Sequence, residues 1–160
     1  MAPREARSDT VARRLPARPL PAWTFVAGRS PRPPDGWFDD VDAGDRFAFG
    51  CDLFDAGFYF EAHELWESCW HETKARMAAV AVDSVAHACA AADERLLRAL
   101  IHLAAAGVKL LDDKPASRAR HVERAVTLAG DIDPRTRGLP ADALARAAAI
   151  LLGGGRPELT

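Results

Sequence analysis

The 160-residue chain has few cysteines, almost no lysine and no long apolar run. Its three cysteines, Cys51, Cys69 and Cys89, form no C-x-x-C pair. A disulfide framework or a zinc ribbon needs paired thiols, so reduced, mostly buried cysteines are expected. No apolar stretch reaches the roughly 18–20 residues of a membrane span; the longest, Ala99 to Leu111, is interrupted by His102 and Lys109. The first residues show no apolar block of the secretory type, and their one apolar patch, Ala22 to Ala27, contains a Thr. Excess positive charge is missing too. Lys and Arg number 21 against 23 Asp and Glu, a net charge of −2, so a nucleic-acid partner is not expected. No segment sustains the period-two alternation of a half-buried strand. These absences predict a soluble cytoplasmic protein, with no membrane partner and no sheet.

What is abundant is alanine, 33 residues, and arginine, 18 of the 21 basic residues, a bias typical of a GC-rich bacterial coding sequence. Seven of the 11 prolines fall in residues 1–36, together with seven arginines and only three acidic residues. Proline at that density interrupts helices and removes sheet donors. Residues 1–36 therefore read as a disordered Pro/Arg-rich arm, and residues 37–160 as one all-α bundle of about five helices.

The first helix is expected over Asp42–Asp55, with Phe47, Gly50, Cys51 and Phe54 on one side and Gly57 as its stop. The second spans Tyr59–Arg76. The third spans Asp93–Leu111, with Asp93 as N-cap and Glu94 in its first turn. Residues 77–92 are Ala- and Val-rich without a clean face; they could extend either neighbour or form a short helix of their own. The fourth helix, Ala116–Ala129, presents Ala119, Val122, Val126 and Ala129 together, and the fifth covers Pro140–Leu152. The third helix is apolar around most of its circumference, its polar stripe being Arg98, His102, Ala105 and Lys109. That is the pattern of a central helix.

The chemically dense segment is Phe58 to Glu72 on the second helix. Ala62, Leu65, Trp66, Cys69 and Trp70 share its apolar face, while His63, Glu67 and His71 recur at intervals of four with Glu64 beside them. Side chains four apart lie about 5–6 Å from each other, close enough to share a proton or a metal. His63-Glu64 begins an H-E-x-x-H zinc motif, but Glu67 stands where the second His belongs. A di-iron bundle needs Glu-x-x-His on each of two helices, and no Glu here has a His three residues on. What remains is a single-metal or acid–base site drawing on His63, Glu64 and Glu67 with His102 from the third helix. Glu64, Glu67 and His102 are its candidate metal ligands, so the cofactor is either none or one divalent metal. The plainer alternative is that the same groups are ordinary helix-surface pairs and buried hydrogen-bond partners. His121, among Arg118, Arg120, Glu123 and Arg124, reads as part of a solvated face.

The run from Phe54 through Gly57, Tyr59-Phe60-Glu61-Ala62-His63-Glu64 and Trp66-Glu67 to Trp70 closely resembles the signature of domain-of-unknown-function family 309. Leu97 to Ala106 resembles a second block of that family, with His102 where Gln is usual, and Ser117 to Ala125 resembles a third. The resemblance covers Phe47 to Ala129. It implies a small all-helical domain from a mainly bacterial and archaeal group, without an established activity. The residues and the resemblance together point to an uncharacterised binding or interaction domain. Its pocket is expected to use Tyr59, Glu61, His63, Glu64, Glu67, Trp70 and His102, lying between helices two and three, and to receive a small ligand or a protein partner. The alternative is a hydrolase or other acid–base enzyme, metal-dependent or not, using the same cluster.

Overall fold

The computed structural model describes residues 12–160, and among them there are five α-helices and no strand. They are α1 (Arg46–Asp55), α2 (Tyr59–Ala78), α3 (Val85–Leu111), α4 (Pro115–Ala129) and α5 (Ala143–Leu152), with a 3₁₀ turn at Pro134–Arg137. The expected all-α bundle is present. No helix is long and apolar enough to cross a membrane.

Helix α3 is the centre of the bundle, packed on α2 and α4 and touched by α5, while α1 packs on α2. Leu96, Leu97, Ala99, Leu100, Leu103, Ala104 and Ala106 have no exposed surface, as its apolar circumference predicts. The α2–α3 approach depends on Gly107. A methyl group there would lie within 3 Å of the Tyr59 ring, so only glycine lets the two backbones come this close. Between α1 and α2, Gly57 takes φ = 89°, and the Phe58 amide donates to the Leu53 carbonyl over 2.8 Å. This is the left-handed stop expected from the sequence.

Several boundaries differ from expectation. Helix α1 begins at Arg46 rather than Asp42, since Val41 to Asp45 form turns. Helix α3 begins at Val85, because Ser84 accepts the His87 amide at 3.1 Å and the following alanines propagate helix well. The ambiguous stretch therefore divides into the end of α2, a short turn and an added start to α3. Asp93 is accordingly not an N-cap. It sits inside α3 and receives both arms of the Arg137 guanidinium, each at 2.6 Å. Helix α5 begins at Ala143, three residues after Pro140. On α4, Val122 and Ala125 are buried, whereas Val126 is exposed and Ala119 faces outward.

The described part of the Pro/Arg-rich arm carries no helix or strand. Residues 1–11 lie outside the described residues, but residues 12–36 form an irregular strap laid against the helices. The Arg14 and Leu15 amides donate to the two oxygens of buried Asp52, at 2.7 and 2.8 Å, and Leu15 and Leu20 pack on the core. Proline prevents the strap from pairing its amides with its own backbone in helices or sheets. Carboxylates of the bundle accept the amides of Arg14, Leu15 and Phe25 instead.

Candidate functional site

The signature segment runs from the end of α1 through the Gly57 turn into α2, and its Tyr59–Trp70 part lies on α2. Its 3.6-residue period directs Tyr59, Ala62, Leu65, Trp66 and Cys69 into the core and leaves Glu64, Glu67, Ser68, His71 and Glu72 on the outer flank. Glu61 is the exception. It is charged, yet has no exposed surface. Its two oxygens accept the Thr24 hydroxyl and the Phe25 amide, both at 2.7 Å. Burial pushes its carboxyl above the ordinary value, and these two donors pull against that rise.

One turn on, Glu64 accepts the Trp37 indole N–H at 2.6 Å and the Arg32 guanidinium at 3.4 Å. His63 Nδ1 lies 3.7 Å from Glu67. Burial holds the imidazole below its usual pKa, although Glu67 and Glu64 favour its charged form. The Trp70 indole donates to Glu94 of α3 at 2.7 Å. Tyr59 is a core residue: its ring stands 5.3 Å from that of Phe54, and its hydroxyl is buried without a partner. Burial raises that hydroxyl to about 12.

His102 faces α4. Its Nδ1 lies 3.2 Å from Nδ1 of His121, so one ring donates and the other accepts. Burial lowers both imidazoles. The neighbouring charges act in the same direction, His121, Arg124 and Arg98 on His102, and Lys109 and His63 on His121.

The predicted site residues thus divide among different partners. Glu61 and Glu64 meet the strap, His63 meets Glu67, Trp70 meets Glu94, and His102 meets His121. Glu64, Glu67 and His102 are not brought together as a set, and among the described residues no three His, Cys, Asp or Glu side chains are grouped to hold a metal ion. Thr24, Phe25, Arg32, Trp37 and His121 were not anticipated as partners. Only the aromatics of the Pro-rich segment, Phe25 and Trp37, carried any signal that it docks.

Beside these pairs a cavity of about 460 Å³ opens between α2 and the turn at residues 33–38. Trp37 and Phe38 form its apolar wall, and Glu64, Glu67, His71 and Glu72 its polar one. Two cations already reach lining residues: Arg46 bonds Ser68 at 2.8 Å and Glu72 at 3.4 Å and lies over the Phe38 ring, and Arg32 reaches Glu64 at 3.4 Å. The groove pairs a carboxylate-rich wall with an aromatic one.

A central helix flanked by α2 and α4, with the E-A-H-E run in the first turns of α2, defines a small all-helical domain of the type the signature implies. Residues 47–121 match the family described as Domain of unknown function (DUF309), the family whose signature the sequence resembles. It runs from α1 into α4, leaving the strap, the end of α4 and α5 outside the matched segment. No curated protein and no solved structure matches the chain.

Proposed function

We propose that the protein is a binding domain of a bacterial cytoplasm that receives a cationic group in the groove between α2 and residues 33–38. The ligand is an amine or guanidinium, carried by a small molecule or by a basic segment of a partner protein. The observation that carries this reading is the groove itself, a space of about 460 Å³ with carboxylates on one side and Trp37 on the other. Carboxylates supply charge-assisted hydrogen bonds to such a group, and the indole face supplies a cation–π contact. A nucleic acid does not suit this wall, whose charge repels phosphate.

Calorimetric titration with arginine amide and putrescine tests the proposal. Saturable binding is expected, weakened about tenfold or more in the Glu67→Gln/Glu72→Gln chain, since each lost charge-assisted bond is worth about 1.5–3 kcal/mol. Absence of saturable binding by either probe, or equal binding by the double variant, refutes it.

A further inference from the structure

The burial of Glu61 needs a partner that the family segment does not contain. Residues 47–121 carry the carboxylate, while both donors that satisfy it, Thr24 and Phe25, belong to the strap. An unpaired carboxylate at zero exposure is costly, so this position is built to be met from outside the matched segment. The contact has the form of peptide recognition. A hydroxyl and the next backbone N–H reach the two oxygens, and the Phe25 ring stands edge-on to Phe60 with centroids 4.7 Å apart.

The strap in this region is also closed on itself. Val26 donates to the Ser30 hydroxyl at 2.7 Å, and that hydroxyl donates to the Thr24 carbonyl at 2.8 Å. The Trp23 indole donates to the Pro31 carbonyl at 3.1 Å. These bonds are local and persist if the loop leaves the bundle. Besides the Glu61 pair, this loop holds the helices through Arg29, which donates to the Leu111 carbonyl at 3.2 Å, and through Arg32, which reaches Glu64 at 3.4 Å and lies over the Phe60 ring. A pre-folded loop that meets the helices through a few side chains and one backbone N–H is a ligand in its construction.

We propose that Glu61 and Phe60 form a docking site for an extended segment presenting a Ser or Thr hydroxyl, the following backbone N–H and an aromatic ring. Residues 24–25 fill this site in cis as a displaceable occupant. The site is separate from the cationic groove and does not depend on it. Tethering gives the strap an effective concentration of about millimolar, so a peptide in trans competes poorly until the strap is weakened.

The experiment uses the full chain and a fluorescent peptide of residues 19–32. Release of the strap is read as faster tryptic cleavage after Arg29 and Arg32, and docking as fluorescence anisotropy. Thr24→Ala/Phe25→Ala is expected to free the strap, keep the helical circular dichroism, and bind the peptide about tenfold tighter than the parent chain. Thr24→Val, which removes one donor at nearly constant volume, gives the same ordering at smaller amplitude. Glu61→Gln frees the strap but does not bind the peptide, and a peptide carrying both alanines does not bind either chain. Glu67→Gln/Glu72→Gln leaves peptide binding as in the parent. The proposal is overturned if loosening the strap melts the helices or if the strap stays protected. It is equally overturned if a freed strap exposes no peptide site, or if Glu61→Gln binds as well as the loosened chain.

Discussion

Gly107→Ala tests how closely α2 and α3 approach. On helix propensity alone this change should stabilise α3 by about 1 kcal/mol. The structure opposes it: the new methyl would stand no more than 2.7 Å from Cγ, Cδ1 and Cδ2 of Tyr59. The ring has no exposed surface and rests edge-on against Phe54 at 5.3 Å, so it cannot swing aside without displacing a second buried aromatic. Relief must come from separating the two helices. Overpacking in a tight core costs about 1–3 kcal/mol, and here the upper end applies because both walls are fixed. Subtracting the propensity gain leaves a net loss of about 2 kcal/mol, or about 4–8 °C in Tm for a chain of this size. Urea unfolding followed by far-UV circular dichroism measures it, with an unchanged denaturant slope confirming that the native state is preserved. Tyr59→Leu in the same chain should recover at least about 1 kcal/mol beyond additivity. A Gly107→Ala protein as stable as the parent, or more so, refutes the close approach.

Two further predictions concern pH. Burial raises Asp55 from the ordinary 3.8 to about 6, against the pull of the Leu159 amide and Arg14; the folded protein therefore binds this proton more tightly than the unfolded chain, and stability rises as pH falls from about 6 towards 4. Relative to Asp55→Asn, the parent should gain about 2–3 kcal/mol across that window in urea melts at successive pH values; a flat difference rejects the assignment. His102 and His121 have lowered values, so the unfolded chain takes up protons first and their contribution is lost as pH falls below 6.5. NMR titration should place both imidazoles below 6.5, and His121→Gln should reduce the loss of stability on acidification; an imidazole titrating above 6.5 in either residue contradicts the pairing.

Much of the helical frame was legible in the sequence because burial imposes periodicity. The apolar circumference of α3 marked it as central, and Gly57 marked the α1–α2 turn. The start of α3 was hidden because its first turns are solvated: Val85 is 81 % exposed, so no apolar face announced the helix. Asp93 looked like a cap because caps and internal ion-pair acceptors use the same residue types, and its partner Arg137 lies 44 positions away. The candidate site was legible only within α2. Spacing put His63 beside Glu67, but the partners of Glu61, Glu64 and His102 depend on how separate elements are rotated against one another. Proline suppressed every periodic signal in the strap, while most of the bonds that anchor it to the helices run to carboxylates elsewhere in the chain.

One turn of α1 receives segments from opposite ends of the described chain. Asp52 holds the amides of Arg14 and Leu15, and Asp55 accepts the amide of Leu159, 104 positions downstream, at 2.6 Å. During synthesis the α1 carboxylates leave the ribosome early, whereas Leu159 follows every helix of the bundle. Until it arrives, Asp55 keeps its water, and the core beside it stays open to solvent. Closure of that corner is therefore a late event joining the most distant parts of the chain, and it makes the tail after α5 a clasp on the finished bundle. Any shortening that removes Leu159 leaves a carboxylate facing the core with its backbone donor gone, although every helix is still encoded.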